Sequence, residues 1–316
     1  MAELPVLDSA AVFAAVTAEE AIERVREAFV LHRRGEWTMP PKVYVPSPPW
    51  GDFRAMPARG GELALLKWVT SFPGNPSRGL PTVTGVVCLS DARTGELTAL
   101  LDAGAVTALR TGAVAAVAAG ALAREDAQSA GVIGCGLNGA WTARCLAASG
   151  YESGVCADPR AEVATALATE LGWRVGDRSE ALSADVVCCV TPGAEIVVDE
   201  GDLRPGMHLN MLGADGAGKA EASVEAILAC RLFCDEWEQA AHGGEMAGAA
   251  AAGLIAREDV VDLGAVLTGE AAGRSGDGTV VTLFDSTGLA IQDLAVAAAA
   301  YAAWRDGRVE AQSVKL

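Results

Sequence analysis

The sequence predicts an α/β chain in two parts, a doubly wound parallel sheet and, ahead of it, a mainly antiparallel β (α+β) domain. Three observations carry this reading. Beyond residue 130, short apolar runs alternate with helical stretches: helix at 161–171, strand at 186–190, strand at 208–212, helix at 222–229 and strand at 232–235. That alternation suits parallel strands joined by crossover helices. Before residue 105, β-prone segments instead follow one another with turn residues between them, the pattern of a meander. The junction of the two regimes is marked by Ala130-Gly131-Val132-Ile133-Gly134-Cys135-Gly136-Leu137-Asn138-Gly139, where an apolar run feeds three spaced glycines and then a helical stretch.

In chain order, Thr17-x-x-Glu20 has the spacing of a capping box. It opens a helix carrying Ile22, Val25, Ala28 and Phe29 at helical spacing and ending near Gly35. His32, in its last turn, reads as a solvated or dipole-favoured side chain. The Pro-rich stretch 39–57 holds two expected antiparallel strands, around Lys42-Val43-Tyr44-Val45 and Asp52-Phe53-Arg54-Ala55-Met56. Residues 63–69 form another, with Lys67 inside an otherwise apolar run. A buried ammonium is costly unless paired; the plainer reading is an edge lysine that snorkels to water. Strands at 81–89 and 97–101 continue the sheet through the turn Asp91-Ala92-Arg93-Thr94-Gly95. An Ala-rich helix over 105–124, with Arg110 and Thr111 near its start, crosses into the second part. The final helix, 289–305, is expected to pack on the N-terminal domain. The domain expectation is 1–118 with 290–316 for the mainly antiparallel domain, and 119–289 for the parallel-sheet domain.

The glycine spacing Gly134-x-Gly136-x-x-Gly139 has a physical reading. The first glycine permits the turn, the second lets backbone approach a pyrophosphate, and the third lets helix and strand pack closely. The helix N-terminus then offers unpaired N–H groups to phosphates. A second strand, 154–157, ends in Asp158, where a carboxylate can accept from an adenosine ribose. Strand, turn, helix, strand and acid together predict a Rossmann-type dinucleotide-binding domain, with Gly134, Gly136, Leu137, Asn138, Gly139 and Asp158 at the cofactor. Asp158 favours NAD because a carboxylate repels the 2′-phosphate of NADP. Arg160 could offset that repulsion, so NADP stays open.

At 316 residues, 51% apolar and 21% charged, the chain can bury a large core. A net charge of −17 disfavours nucleic acid and anionic membrane as partners. No signal peptide is visible, and the longest apolar runs, 113–117 with its flanks and 294–304, fall short of the ~20 residues that span a bilayer. The 8 cysteines lack zinc-ligand spacing. They read as reduced core thiols of a cytoplasmic protein, with Cys188-Cys189 on a buried strand and Cys230 and Cys234 a helical turn apart; no metal is expected. The stretch 213–220 matches most of a phosphate-binding P-loop, but Ala220 replaces the Ser/Thr that would hold Mg²⁺. No internal repeat is visible.

Several separate stretches resemble the ornithine cyclodeaminase/mu-crystallin family. They are Met56-Pro57, Lys67-Trp68-Val69-x-x-Phe72-Pro73-x-Asn75-Pro76, Gly79-Leu80-Pro81-Thr82-Val83-Thr84-Gly85 and Leu109-Arg110-Thr111. The series continues through Gly134-x-Gly136, Gly213-Ala214-Asp215-x-x-Gly218-Lys219 and Gly243-Gly244-Glu245. It closes with Thr282-Leu283-Phe284-Asp285-Ser286-x-Gly288-Leu289-Ala290-x-x-Asp293-Leu294-Ala295. The resemblance implies an NAD(P)-dependent oxidoreductase acting on a small amino or imino acid, and a homodimer that pairs through the β domain. By the same resemblance Lys67 and Arg110 hold the substrate carboxylate beside the nicotinamide, Asp215 is the acid/base carboxylate, and Thr82, Asn138, Asp158, Thr191, Lys219 and Ser286 meet the cofactor; Arg110 and Arg160 are expected at the cofactor as well. Lys42, Arg54 and Met56 complete the substrate side, with Lys67 and Asp215 as the catalytic pair. The chemistry agrees: guanidinium and ammonium groups suit a carboxylate, and a positioned carboxylate can move the proton that accompanies hydride transfer at an imine carbon.

Two departures bear on the substrate. Cyclodeaminases of the family carry Glu two residues before Met-Pro, where this chain has Arg54, and Arg where it has Lys42. A cation at 54 repels a substrate's distal ammonium and welcomes a second anionic group. The expectation is therefore an alanine dehydrogenase-like enzyme or a ketimine or cyclic-imine reductase. Ornithine or lysine cyclisation is the runner-up, and a small-molecule-binding protein of mu-crystallin type the further alternative.

Overall fold

In a computed structural model the chain forms two units, residues 1–110 with 289–316 and residues 111–288, the cut falling inside one helix. The structure describes residues 3–315 except 194, 217, 275 and 277, and of Pro76 the backbone only. Ala217, in the P-loop-like stretch, thus lies outside the described residues.

The first unit opens with strand β1 (Glu3–Leu7) and helices α1 (Ser9–Ala15) and α2 (Ala18–Arg33). Five strands follow: β2 (Val43–Ser47), β3 (Gly51–Gly60), β4 (Leu63–Ser71), β5 (Val83–Asp91) and β6 (Leu97–Asp102). Helix α3 (Ala103–Leu122) leads into the second unit. There the chain forms β7 (Ser129–Ile133), α4 (Leu137–Ala148), β8 (Ser153–Ala157), α5 (Ala161–Leu171), β9 (Arg174–Val175), α6 (Arg178–Ala181), β10 (Val186–Cys189) and β11 (His208–Met211). It continues through α7 (Val224–Leu228), β12 (Arg231–Cys234), α8 (Trp237–Gly243), α9 (Ala247–Ala251), β13 (Val260–Asp262), α10 (Leu263–Leu267) and β14 (Thr282–Asp285). Helix α11 (Ala290–Arg305) and strand β15 (Gln312–Lys315) return to the first unit.

The sheet of the first unit has the order β15-β1-β6-β5-β4-β3-β2. From β2 to β6 it is the expected antiparallel meander. Its extension is not foreseen by the sequence reading: β1 pairs parallel with β6 and antiparallel with β15. Alternation along β4 turns Leu65, Lys67 and Val69 inward and Leu66 and Trp68 outward. Helix α11 packs along α2 and against α1, β3 and β4, the docking expected of it. It is buried nearly all round, including Gln292 and Asp293. Thr17 caps α2 by accepting from the Glu20 N–H, and His32 in its last turn meets the Trp37 carbonyl.

The second unit holds an eight-stranded sheet of order β13-β12-β14-β11-β10-β7-β8-β9, parallel throughout. The order reverses at β7: the chain moves outward to β8 and β9, then crosses back to β10 on the other side. Right-handed crossovers on either side of a reversal place helices on opposite faces, so the sheet is doubly wound.

Two sequence expectations need correction. Helix α3 is one 20-residue helix with an 18-residue window of mean hydropathy 1.6, long and apolar enough to cross a bilayer; 83% of that window is buried inside the protein. The sequence reading expects a helix here, over 105–124, but counts only 113–117 with its flanks as an apolar run; the helical stretch around that run carries the same apolar character. Cys230 and Cys234 are not on one helix either, since Cys234 ends strand β12.

Candidate active site

Of the cofactor residues named from the sequence, Thr82 and Arg110 belong to the first unit, and the others fall at one edge of the second. In a parallel sheet all C-terminal strand ends lie together, and ligands bind there at the reversal of strand order. Five adjacent strands, β8-β7-β10-β11-β14, deliver Asp158, the 134–139 turn, Thr191, the 213–219 loop and Ser286 immediately beyond their C-terminal ends.

The turn after β7 is built to admit a phosphate. Gly134 has φ +92°, and a Cβ there would meet the Val190 carbonyl oxygen at 2.6 Å. A Cβ on Gly139 would meet the Gly134 carbonyl oxygen at 1.8 Å, so helix α4 reaches the strand only with glycine at this position. Around Gly136, the N-cap of α4, the nearest atom to such a carbon is Arg160 Nη2 at 3.8 Å, leaving open the space a pyrophosphate needs. Leu137 and Asn138 form the first turn of α4, Leu137 exposed. These features fit a dinucleotide.

Asp158 accepts from the Cys135 N–H at 2.8 Å, which ties the second strand to the glycine turn. Arg160 grips the same carboxylate through Nε and Nη2, both at 2.9 Å. Burial works to raise the Asp158 pKa, but these hydrogen bonds outweigh it and hold the carboxyl below its ordinary value. Asp158 therefore stays anionic under Arg160, which remains largely exposed.

Beyond β10, Thr191 Oγ1 accepts from Gly193 N–H at 3.2 Å. Beyond β11, Lys219 Nζ and Asp215 Oδ1 are 2.6 Å apart, each partly exposed. The loop binds its own lysine to its own acid, unlike a P-loop. Ser286 is buried, its hydroxyl directed to Asp235 at 3.3 Å. Asp235 also accepts from Thr287 Oγ1 and Gly288 N–H, fixing the turn after β14.

The substrate residues named from the sequence fall in the first unit. Lys67, only 1% exposed, points inward from β4, beside Met56 in register on β3. Its Nζ lies 2.9 Å from Oδ1 of Asp293, in the first turn of α11. Arg110 Nε stands 3.5 Å from the same oxygen, an ion pair without hydrogen-bond geometry, and Asp293 Oδ2 is buried with no hydrogen-bond partner among the described residues. Arg54, also inward on β3, makes a two-point contact with Asp52 at 2.6 and 3.2 Å and lies 5.3 Å over the ring of Tyr44, its cross-strand partner. Burial lowers the Lys67 pKa to about 8; Asp293 works against the fall, while Arg110 and Arg54 add to it. Lys42 is half-buried just before β2, and Thr82 precedes β5, its carbonyl accepting from Phe72 N–H at 2.8 Å.

The structure thus brings Lys67 and Arg110 onto one carboxylate that the sequence reading quoted but gave no role, Asp293, with Arg54 close enough to act electrostatically on Lys67. Asp52 and Tyr44, partners of Arg54, received no role either. A signal for Asp293 was present: a lysine in a buried strand requires an acid, and Asp293 interrupts the apolar run of the last helix.

The family model for the ornithine cyclodeaminase/mu-crystallin family matches residues 5–308. Alanine dehydrogenase of Archaeoglobus fulgidus is 40% identical over 293 residues, 90% of each chain. Among solved structures, an archaeal alanine dehydrogenase dimer with bound NAD superposes with TM-score 0.93 at 38% identity, over 100% of both chains. The Thermococcus litoralis Δ1-pyrroline-2-carboxylate reductase, in complex with NADH and L-proline, superposes with TM-score 0.92 at 26% identity, over 99% of this chain and 100% of that one. With the glycine turn, the strand-end cofactor edge and the buried Lys67 cluster all in place, the chain belongs to the ornithine cyclodeaminase/mu-crystallin family.

Proposed function

We propose that the protein is an NAD-dependent oxidoreductase acting at the C–N bond of small α-amino or α-imino acids, as an alanine dehydrogenase or a ketimine or cyclic-imine reductase does. The observation that carries this reading is the buried cation cluster of the first unit. Two cations, Lys67 and Arg110, share one buried carboxylate, Asp293, an arrangement that favours one more anionic group, and Arg54 adds positive potential at Lys67. A substrate α-carboxylate supplies it. Similarity to an alanine dehydrogenase and to an imine reductase solved with NAD or NADH supports the same chemistry.

In this reading the 134–139 turn, Asp158, Arg160, Thr82, Arg110, Thr191, Lys219 and Ser286 hold NAD. When bound, its nicotinamide supplies or takes up the hydride. Lys67 and Arg110 orient the substrate by its carboxylate, with Met56 as an apolar wall and Arg54 and Lys42 adding positive charge. Asp215, paired with Lys219, gives or takes the proton at nitrogen, or activates the water that turns an imine into an oxo acid. The engaged Asp158 carboxylate favours NAD over NADP, and Arg54 disfavours a substrate with a distal ammonium.

The outer face of the first sheet, where Leu66 and Trp68 are exposed and Phe53 stacks on Trp68, is the surface we assign to a homodimer. All 8 cysteines are free, including the adjacent buried pair Cys188 and Cys189, which suits the reducing cytoplasm.

The test is NADH and NADPH oxidation with pyruvate plus ammonia, pyruvate plus methylamine, Δ1-piperideine-2-carboxylate and Δ1-pyrroline-2-carboxylate, with ornithine plus NAD as the reverse control. Turnover of an imino acid or oxo acid with ornithine silent is expected. Lys67→Ala and Asp215→Ala should each lose that turnover and still bind cofactor; unchanged turnover in both overturns the assignment.

A further inference from the structure

The Gly243-Gly244-Glu245 stretch and Glu221 have no part in the scheme above, yet both lie behind its cofactor edge. Glu221 is fully buried. Its Oε1 accepts from Thr191 N–H and its Oε2 from Gly213 N–H, each at 2.7 Å, so one side chain ties the loop after β10 to the loop after β11. The fit is close: a Cβ on Gly213 would lie 2.6 Å from the Glu221 carboxyl carbon. Glu221 is itself held by a second carboxylate, since Glu245 Oε1 accepts from Glu221 N–H at 2.8 Å and from Ala222 N–H at 2.5 Å. A third holds the second, Asp285 at the end of β14 accepting from Met246 N–H at 3.0 Å. A Cβ on Gly244 would come within 2.5 Å of Asp285 Oδ2, which accounts for glycine at that position.

We propose that Glu221 is a positioning residue for the redox reaction: braced from β14 through Asp285 and Glu245, it sets the spacing of the two loops that carry Thr191 and Asp215. The proposal rests on the reading of these loops as the cofactor edge. Asp215 lies two residues beyond Gly213, so the clamp fixes the base of the segment bearing the acid/base carboxylate.

The relay divides its work unevenly. Glu221 uses both oxygens on two different loops. Glu245 uses only Oε1; its Oε2, like Oδ1 of Asp285, is buried without a hydrogen-bond partner among the described residues. Burial raises the Glu245 pKa to about 8, with Glu221 adding to the rise, and burial together with Asp235 and Glu245 pushes Asp285 well above the carboxylate range. A proton on the unused Glu245 oxygen leaves its accepting oxygen intact. An amide can replace Glu245 with its NH₂ in the unused position. At 221 an amide must set its NH₂ against one of two backbone N–H groups, donor against donor.

Two glutamine variants and one wild-type measurement separate this role from plain structural support. Glu221→Gln should raise the NADH Kd, read by nicotinamide fluorescence, roughly tenfold or more, while Glu245→Gln stays within about twofold of wild type. Both should melt cooperatively. Equal effects of the two variants, or a Glu221→Gln Kd within about twofold of wild type, overturn the proposal. Amide exchange in the cofactor-free wild-type protein, followed by NMR, decides the matter if Glu221→Gln does not fold. Thr191 and Gly213 amides should exchange as slowly as those within β11, and fast exchange at both contradicts the clamp. If wild-type protein fails to bind NADH, the functional reading falls, and the exchange measurement still decides whether the clamp exists.

Discussion

Lys67 Nζ lies 2.9 Å from Asp293 Oδ1, and neither side chain is more than 2% exposed. The pair joins strand β4 to the first turn of α11, residues 226 positions apart in sequence. It sits where the positive end of a helix favours an acid. A buried pair of this kind adds little net stability against well-packed apolar residues, but removing one partner is expensive. Asp293→Ala should therefore lower the unfolding free energy by about 3–5 kcal/mol, measured by urea denaturation. Lys67→Met should cost less, because Arg110 remains beside the carboxylate.

With Lys67 in the proposed carboxylate-binding role, its pKa of about 8 should make substrate affinity pH-dependent. Binding a carboxylate needs the ammonium form, so KM for the imino acid should rise as pH rises through about 8. Asp293→Asn removes the group that holds this pKa up, and the rise should move to lower pH by roughly one unit. A KM flat from pH 7 to about 9.5 in wild type would remove Lys67 from carboxylate binding.

The same shift has a stability consequence of opposite sense. The folded-state pKa lies below the ordinary 10.5, so between about 8 and 10.5 the unfolded chain binds the proton more readily than the folded one. Across that window this group makes unfolding harder as pH rises; below it, the full cost of the buried ammonium is present. Lys67→Met should flatten that part of the unfolding free energy against pH, which denaturation at a series of pH values reports.

Cofactor choice should turn on Asp158. Asp158→Ser frees Arg160 for a 2′-phosphate and removes the ribose acceptor. Roughly tenfold lower kcat/KM with NADH and a comparable gain with NADPH are expected in steady-state assays.

Trp68→Glu places a charge on the outer face of the first sheet without touching the buried side of β4. Light scattering coupled to size exclusion should show a dimer in wild type and a monomer in the variant. A wild-type monomer would contradict the dimer assignment.

Much of this was legible in the residues. The meander from β2 to β6, the glycine turn, Asp158 and the alternation through β11 follow from period, turn chemistry and spacing. The missed elements lack such marks. β1 is five residues long with Pro5 inside it, and its partners β6 and β15 are distant in sequence. Helices α9 and α10 are five residues each, too short for a hydrophobic period to show. At the site, Lys67 was visible as an anomaly within an apolar strand and Arg110 and Arg54 through the family resemblance, whereas the acids that organise them were not. Asp293 sits on a helix far along the chain, and Glu221 follows a loop whose glycines and lysine draw the reading toward phosphate chemistry. Tertiary pairing gives these carboxylates their roles, and one sequence carries no register for it.

The central claim, hydride transfer at the Cα of an amino or imino acid, is tested most directly by isotope. The protein would be incubated with NADH deuterated at both C4 positions and the panel of imino acids and oxo acid–amine pairs, and the amino acids formed would be analysed by mass spectrometry. One deuterium at Cα of a product, absent in the Lys67→Ala variant, is the predicted result. Tight NADH binding with no deuterated amino acid from any member of the panel would contradict it.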